Sequence, residues 1–412
     1  MDFAASTKYL YSLGNEVSAM KLGLDNIRTL LDALDKPHEK YLKVQVAGTN
    51  GKGSVCVFLN SICLEAGIKT GLYTSPHLVS ITERVKINGI DISEDVFARQ
   101  ATLVRETAES LLAKGQLEYR PTFFEQMTAI ALVAFAEAKV ELAILETGLG
   151  GRLDATTAAN AEIAAITRID LDHQEYLGET IEEIASEKAA IIHAGSKVVV
   201  GEQRREALKV VLERCYQFGI QPISTEAHSL PVVFPPLGLK GRHQLENANV
   251  ASLVAEILKE YFPITPENMV SGLKNARHPG RLEYQGKYLF DGAHNIGGAT
   301  ALAEYIREFE TRPITLVFGA MDDKNVAEIL AILEPLAQRI VLTEPSNSRS
   351  HSYQELLEQM PAEMSKERTF ATDNVKSAID IANEVTQDDG VILVTGSLYL
   401  VGEVKSILRS QI

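Results

Sequence analysis

The chain has no tryptophan, only three cysteines in 412 residues, and fifteen fewer basic than acidic side chains. Each shortage excludes something. Cys56, Cys63 and Cys215 cannot all pair with one another and none stands in a C-x-x-C spacing, which argues against a disulfide framework and against structural zinc. Cys56 and Cys63, seven residues apart beside Leu59 and Ile62, read as small buried hydrophobes on one helix face. With 40 Lys and Arg against 55 Asp and Glu, the net charge of -15 leaves no basic surface for nucleic acid as a bulk partner. No apolar run reaches the roughly 18 residues of a membrane span, and the start MDFAASTKYLYSL lacks the basic head and apolar core of a signal peptide. The expectation is a cytoplasmic protein with no membrane partner, active as a monomer on small molecules.

What is present is a β-α rhythm. LGLDNIRTLLDAL spaces Leu22, Leu24, Ile27, Leu30, Leu31 and Leu34 as a helix closed by Lys36-Pro37. KVQVA follows as a buried strand, then a glycine loop, then SVCVFLNSICLEAG as a helix capped by Gly67. GLYTS reads as a strand, Asn88-Gly89 as a hairpin turn, and Ser93 as the cap of a helix running to about Leu112. TFFEQMTAIALVAFAEA is helical, ELAILETG and AEIAAITRIDLDH are strands ending in polar loops, and Thr180 with Glu183 forms a capping box before a helix that precedes the strand KVVVGE. After a helical stretch to about Lys274, the Pro- and Gly-containing tract ARHPGRLEYQG reads as a linker. Strands KYLF, ITLVFG, RIVLTE and VILVTG then alternate with helices to the end.

The chain is long for one hydrophobic core. The fold class expected is α/β: a large N-terminal P-loop domain with a mostly parallel sheet over residues 1–279, and a smaller Rossmann-like C-terminal α/β domain over residues 280–412. Ligands are expected beyond the carboxyl ends of the strands.

The loop AGTNGKGS, residues 47–54, lies between strand and helix, where unpaired N–H groups and glycines suit a phosphate. Asn50, Gly51, Lys52, Gly53 and Ser54 are the candidate nucleotide-binding residues, with Lys52 reaching the outer phosphates and a hydroxyl of Thr49 or Ser54 joining a magnesium shell. The spacing departs from G-x-x-x-x-G-K-[ST]: Val46 stands where the first Gly would fall, and Ser54 arrives one residue late.

This variant resembles the phosphate loop of the Mur ligase superfamily, and more closely that of its folylpolyglutamate synthase and dihydrofolate synthase members. The resemblance runs nearly the full length, through SPHL at 75–78, T-x-F-E at 122–125, GLGGRLDAT at 148–156, DH at 172–173, LGETIEEIASEK at 177–188, HQLENA at 243–248, PGRLE at 279–283, DGAHN at 291–295, and GSLYLVGEV near the C-terminus. It implies ATP and two magnesium ions as cofactors. It assigns Ser75, Glu146 and His173 as metal ligands with Ser54 on the nucleotide side, although by itself Glu146 reads as a solvated strand-end carboxylate. Lys188, by itself an ordinary exposed lysine, is carbamylated in the family and ligates a second metal; Ala190 replaces the family's usual Gly in E-K-A-G.

For the substrate, the resemblance implies that His77, Glu83, Arg84, Phe123 and Phe124 lie along the pteridine and benzoyl parts of folate, and that Thr122 to Glu125 together with Leu153, Asp154 and Ala155 touch dihydropteroate. Met20, Lys21, Leu22 and Gly23 occupy the region where bifunctional relatives approach it. The resemblance also implies that Asn247 and, in the second domain, Arg281 and Asp291 contact ATP, and His294 shares the DGAHN loop with Asp291. The family's W-P-G-R appears as His278-Pro279-Gly280-Arg281, without the Trp and its stacking. DGAHNIGGA lacks G-x-G-x-x-G, which argues against a nicotinamide enzyme.

The activity implied is an ATP-dependent ligase that adds L-glutamate to dihydropteroate, to the terminal glutamate of a folate, or to both, through an acyl phosphate. Lys52, Lys188, His173, Asp291 and His294 are its expected catalytic set. Two rivals are a Mur-type ligase acting on a cell-wall nucleotide precursor and a regulatory ATPase without ligase activity. The SPHL and T-x-F-E segments favour folate.

Overall fold

The computed structural model describes residues 1–14, 23–227, 236–360 and 366–410, so Met20, Lys21 and Leu22 lie outside the described residues. The chain divides into two compact units. The first comprises Met1–Pro76, Ile81–Gly238 and Leu245–Ala276; the second comprises His77–Ser80, Leu239–Gln244 and Arg277–Ile412.

Among the described residues, the first unit is built on eight strands: β1 (Leu42–Ala47), β2 (Thr70–Tyr73), β3 (Val85–Ile87), β4 (Ile90–Asp91), β5 (Leu142–Glu146), β6 (Ile163–Ile166), β7 (Lys197–Val200) and β8 (Ile223–Ser224). They lie in the order β4-β3-β2-β5-β1-β6-β7-β8. Pairing is parallel from β2 through β8, and antiparallel only for β2 with β3 and β3 with β4. The β3–β4 turn is the expected Asn88-Gly89 pair, whose φ values of 51° and 78° are the left-handed ones a tight hairpin requires. Strands β5 and β6 are buried along their whole length, which explains their unbroken apolar sequence: helices cover both faces.

Among the described residues, ten helices accompany this sheet: α1 (Phe3–Tyr11), α2 (Asp25–Ala33), α3 (Lys52–Glu65), α4 (Glu94–Ala113), α5 (Phe123–Ala138), α6 (Gln174–Leu177), α7 (Ile181–Ala189), α8 (Arg205–Gln217), α9 (His243–Leu258) and α10 (Pro266–Asn275). One core gathers α1, α2, α4 and α5 around Phe97, Met127 and Phe135, while another sets α7 and α8 against β6 and β7 through Ile166, Ile184 and Val211. Close approach is secured by small residues. A Cβ on Gly71 of β2 would come within 2.5 Å of the Phe135 ring, and one on Gly272 of α10 within 2.5 Å of the Ile62 backbone nitrogen in α3.

The second unit carries β9 (Glu283–Gln285), β10 (Tyr288–Phe290), β11 (Ile314–Phe318), β12 (Arg339–Thr343), β13 (Thr369–Thr372) and β14 (Val391–Thr395), in the order β13-β12-β11-β14-β10-β9. All pairs are parallel except β9 with β10. Helices α11 (Ile296–Phe309), α12 (Val326–Leu333), α13 (Tyr353–Glu358), α14 (Val375–Val385) and α15 (Leu398–Ser410) complete it, with separate apolar clusters around Leu316 and Phe318 on one face and Val317 and Val394 on the other. The α/β class and the mostly parallel sheets agree with the sequence expectation. Strands β8, β9 and β13 were not anticipated. They are edge or near-edge strands of two to four residues, too short and too polar for a hydrophobic run to announce them.

Candidate active site

Four neighbouring strands, β2, β5, β1 and β6, end on the same side of the first sheet and deliver Ser75, Glu146, the glycine loop and residues 167–173. The loop is tied down to the segment after β6. Arg168 O accepts N–H bonds from Thr49 at 2.8 Å and Asn50 at 3.3 Å. The Thr167 hydroxyl donates to Asn50 O at 2.8 Å, and a Cβ on Gly48 would overlap that same hydroxyl. Thr49 Oγ1 donates to Asp170 O at 2.9 Å and accepts from Asp170 N–H at 3.0 Å. Of the two hydroxyls the sequence offered for a magnesium shell, that of Thr49 is therefore spent on backbone. Ser54 sits buried in the first turn of α3.

Helix α3 begins on Gly51, whose φ of 91° suits glycine and which, as the N-cap residue, makes no side-chain cap hydrogen bond. By contrast Ser93, Thr122, Thr180 and Thr265 cap α4, α5, α7 and α10. A leading turn without a capping side chain, at the positive end of a helix, is suited to an anion. Asn247 from α9 lies against this turn, since a Cβ on Gly51 would overlap its Oδ1.

Two lysines meet at the loop. Lys52 Nζ donates to Gly48 O at 3.0 Å and Thr49 O at 3.1 Å, and Lys188 Nζ from α7 donates to Gly48 O at 2.9 Å. Lys188 is 4% exposed, which corrects the reading of an ordinary surface lysine. Burial first, and then the charge of Lys52, pull its pKa down to about 7, against the opposing fields of Asp172, Asp154 and Glu187.

Glu146 is buried at the end of β5, and its Oε2 accepts the Ser75 N–H at 3.1 Å. The structure thus joins two of the expected metal ligands directly. His173 takes a left-handed φ of 51° just before α6, its N–H held by Asp172 Oδ1 at 2.9 Å. Among the described residues no three His, Cys, Asp or Glu side chains gather as a metal cluster. The expected set contains only two of those types, the rest being hydroxyls and Lys188.

The substrate candidates divide by what holds them. Asp154 serves its own loop: Oδ2 accepts the Gly148 and Leu149 N–H groups at 2.9 and 3.0 Å, and Oδ1 accepts that of Thr156 at 3.0 Å. Burial raises its pKa while these bonds pull it back. The loop docks on α7 beside Lys188, with Arg152 N–H on Glu187 O at 2.9 Å. Phe124 lies against the same loop, a Cβ on Gly148 falling 2.5 Å from its ring, and it also meets Tyr73 at 5.9 Å between centroids. Phe123 stacks on Tyr11 at 5.8 Å, with the buried Arg84 guanidinium 5.3 Å above its ring. Glu125 closes a capping box with Thr122, accepting its N–H at 2.8 Å, and its other oxygen is buried without a hydrogen-bond partner among the described residues. Burial raises the Glu125 pKa. Leu153 is half-buried and Ala155 buried in the Asp154 loop; Glu83 is half-buried, and His77 falls in the segment counted with the second unit.

In the second unit, Arg281 stands between two residues of left-handed conformation, Gly280 at φ 72° and Leu282 at φ 43°. For a buried leucine that conformation costs about 1–2 kcal/mol. Asp291 holds it: Oδ2 accepts Leu282 N–H and Oδ1 accepts Ala293 N–H, both at 2.9 Å. Burial raises the Asp291 pKa, opposed by Arg281. Gly292 leaves room for Arg281, whose guanidinium a Cβ there would strike. His294 Nδ1 donates to Gly292 O at 2.8 Å. His243, not among the sequence candidates, has its pKa driven down to about 4 by burial and by the charge of Arg281. Thr167, Asp170 and Gln203, whose Oε1 accepts the Ile169 N–H at 3.0 Å and whose Nε2 donates to Thr167 O at 2.8 Å, were missed as well. The polar tail TRID after an apolar strand was the available signal for the first two.

Residues 46–255 match the Mur ligase middle domain, and residues 280–398 match the Mur ligase, glutamate ligase domain. The dihydrofolate synthase/folylpolyglutamate synthase of Bacillus subtilis is 35% identical over 420 residues, covering 95% of this chain and 96% of that one. The probable bifunctional folylpolyglutamate synthase/dihydropteroate synthase of Haloferax volcanii is 33% identical over 435 residues, covering 98% of this chain; the chain spans 50% of that relative's length. A solved structure of the bifunctional folylpolyglutamate synthase/dihydrofolate synthase from Yersinia pestis, complexed with AMPPNP and Mn ion, is similar with a TM-score of 0.85 and 28% identity, covering 99% of this chain and 98% of that one. With the middle domain matched across half its length and relatives of this kind along nearly all of it, the chain belongs to the Mur ligase family.

Proposed function

We propose that the chain is an ATP-dependent ligase that joins L-glutamate to dihydropteroate, to the terminal glutamate of a folate, or to both, releasing ADP and phosphate. The observation that carries this reading is the meeting of Lys52 and Lys188 on the Gly48 carbonyl, in front of a helix turn without a capping side chain and beside the Glu146–Ser75 pair. A carboxylate in water does not form an amide unaided; ATP supplies the γ-phosphoryl group that turns it into an acyl phosphate, from which the glutamate amine displaces phosphate. The chain's own task is to position groups and neutralise charge.

Lys52 is held over the loop by two neutral carbonyls, so it is available to a charged phosphate acceptor without reorganising the loop. Asn50, Gly51, Gly53 and Ser54 supply the turn beneath it, and Asn247, Arg281 and Asp291 complete the nucleotide set. The oxygen donors Ser54, Ser75 and Glu146 suit magnesium, with His173 as a nitrogen ligand. Lys188 fits carbamylation: only a neutral amine attacks carbon dioxide, and a pKa of about 7 leaves much of this one neutral near neutral pH. The carbamate would give a second metal an oxygen ligand. Phe123, Phe124 and Arg84 offer flat faces and a cation to a pterin-bearing acid.

The test is direct. Purified protein with ATP and magnesium should release ADP only when a pteroate or folate and L-glutamate are both present, with a glutamyl adduct detected by mass spectrometry. ADP release indifferent to the pterin favours the regulatory ATPase, and an adduct formed only on a cell-wall nucleotide precursor favours that ligase. Carbon dioxide depletion should lower activity, and labelled bicarbonate should restore it with a carbamate carbon signal that Lys188→Met lacks.

A further inference from the structure

Arg281 is framed by two carboxylates, and the second of them leads to a residue with no assigned role. On one side Asp291 holds the Leu282 N–H at 2.9 Å. On the other, Glu283 Oε2 accepts the Gly280 N–H at 2.7 Å while its Oε1 accepts Lys405 Nζ at 2.7 Å. Gly280 O in turn accepts the Gly292 N–H at 2.9 Å, so the residue before Arg281 is fixed at both its donor and its acceptor. Lys405 comes from α15, is only 4% exposed, and lies 4.9 Å over the Phe290 ring.

We propose that Lys405 is a positioning residue that acts through Glu283 to hold the Gly280–Leu282 turn and so aim Arg281 at the nucleotide. The physical reason lies in the strain of that turn. A buried leucine at φ 43° keeps its left-handed backbone only while its surroundings over-determine it. The Glu283 side chain is 32% exposed, so without a buried cation to hold it, it can swing to water and release the Gly280 N–H. Lys405 prevents this because an ammonium buried over an aromatic ring needs a carboxylate close by. A displacement of Arg281 by about 1 Å is enough to weaken a phosphate contact strongly.

This inference rests on the reading that Arg281 binds ATP, and a double-mutant cycle separates the two. Lys405→Met should raise the KM for ATP roughly 10-fold or more with little change in the KM for L-glutamate or in the thermal midpoint, and Lys405→Arg should restore the parental value. In an Arg281→Ala background, Lys405→Met should add nothing, because the group it positions is gone. An unchanged KM for ATP in Lys405→Met, or an equal increase in both backgrounds, overturns the proposal. If Arg281→Ala itself leaves the KM for ATP unchanged, the nucleotide role of Arg281 fails instead and the positioning role falls with it. Should Lys405→Met not fold, Glu283→Gln decides in the same cycle, since the amide keeps the shape and loses the ion pair.

Discussion

Lys52 and Lys188 donate to one and the same acceptor, the carbonyl oxygen of Gly48, at 3.0 and 2.9 Å. Burial first, and then repulsion from the Lys52 ammonium on the same oxygen, bring Lys188 down to about 7 when folded, against 10.5 ordinarily. Between those values the unfolded chain binds more protons than the folded one, so stability rises with pH through that window. The destabilisation is complete below pH 7 and gone by about pH 10.5. Lys188→Met leaves Gly48 its bond from Lys52. In carbon dioxide-free buffer it should therefore raise the thermal midpoint most near about pH 6, progressively less toward about pH 9.5, and abolish ligation. A gain indifferent to pH would contradict the buried charge.

Thr49 and Ser54 separate scaffold from chemistry. Thr49 exchanges both of its hydroxyl bonds with the Asp170 backbone, whereas Ser54 stands in the first turn of α3. Thr49→Val leaves a buried N–H and carbonyl without partners and should cost about 1–3 kcal/mol in a urea titration. Ser54→Ala should cost little stability and raise the magnesium concentration needed for half-maximal rate. If Thr49→Val shifts the magnesium requirement and Ser54→Ala does not, the two roles are reversed.

The legible parts of the molecule were those with local causes. Apolar runs announced β1, β5, β6 and the inner strands of the second unit, and Ser93 and Thr180 with Glu183 announced helix starts because a cap is a contact within four residues. Lys188 could not be read from its surroundings in sequence, since it is buried by the fold and its hydrogen-bond acceptor, Gly48, is 140 residues away. The resemblance pointed to it; the packing explains it. Asp154 and Glu125, expected at the substrate, have structural tasks in the fold, bridging the Gly148 loop and closing the α5 capping box. Such structural use is invisible to spacing because the donors are backbone N–H groups, which every residue type but proline supplies.

Gly51 should tolerate no side chain, for two separable reasons. Its φ of 91° penalises any Cβ, and that Cβ would also strike Asn247 Oδ1. Gly51→Ala should lose about 1–3 kcal/mol of stability. Adding Asn247→Ala should recover the part due to crowding while the backbone penalty of about 1–2 kcal/mol remains. Chemical denaturation of the two single variants and the double variant measures this coupling. Strict additivity would mean that Asn247 does not press on the loop.

His243 gives the second unit its own acid sensitivity. Burial and the charge of Arg281 hold its folded pKa at about 4, below its ordinary 6.5, and its Nε2 accepts the Gln244 side-chain amide at 3.0 Å, as a neutral imidazole can. Across that interval the unfolded chain holds a proton that the folded chain refuses, so stability increases with pH from about 4 to 6.5 and the penalty is full below about 4. A shift of this size corresponds to about 3 kcal/mol. His243→Gln keeps a hydrogen-bonding side chain and removes the titration, so the variant should lose that much less stability than the parent between those limits, as read by thermal unfolding over a pH series. Because His243 is already neutral at about pH 6, the same substitution should leave the acid limb of kcat/KM above that pH in place. Parallel stability curves for parent and variant would show that the imidazole takes up its proton on folding as readily as in water, and that Arg281 exerts no field on it.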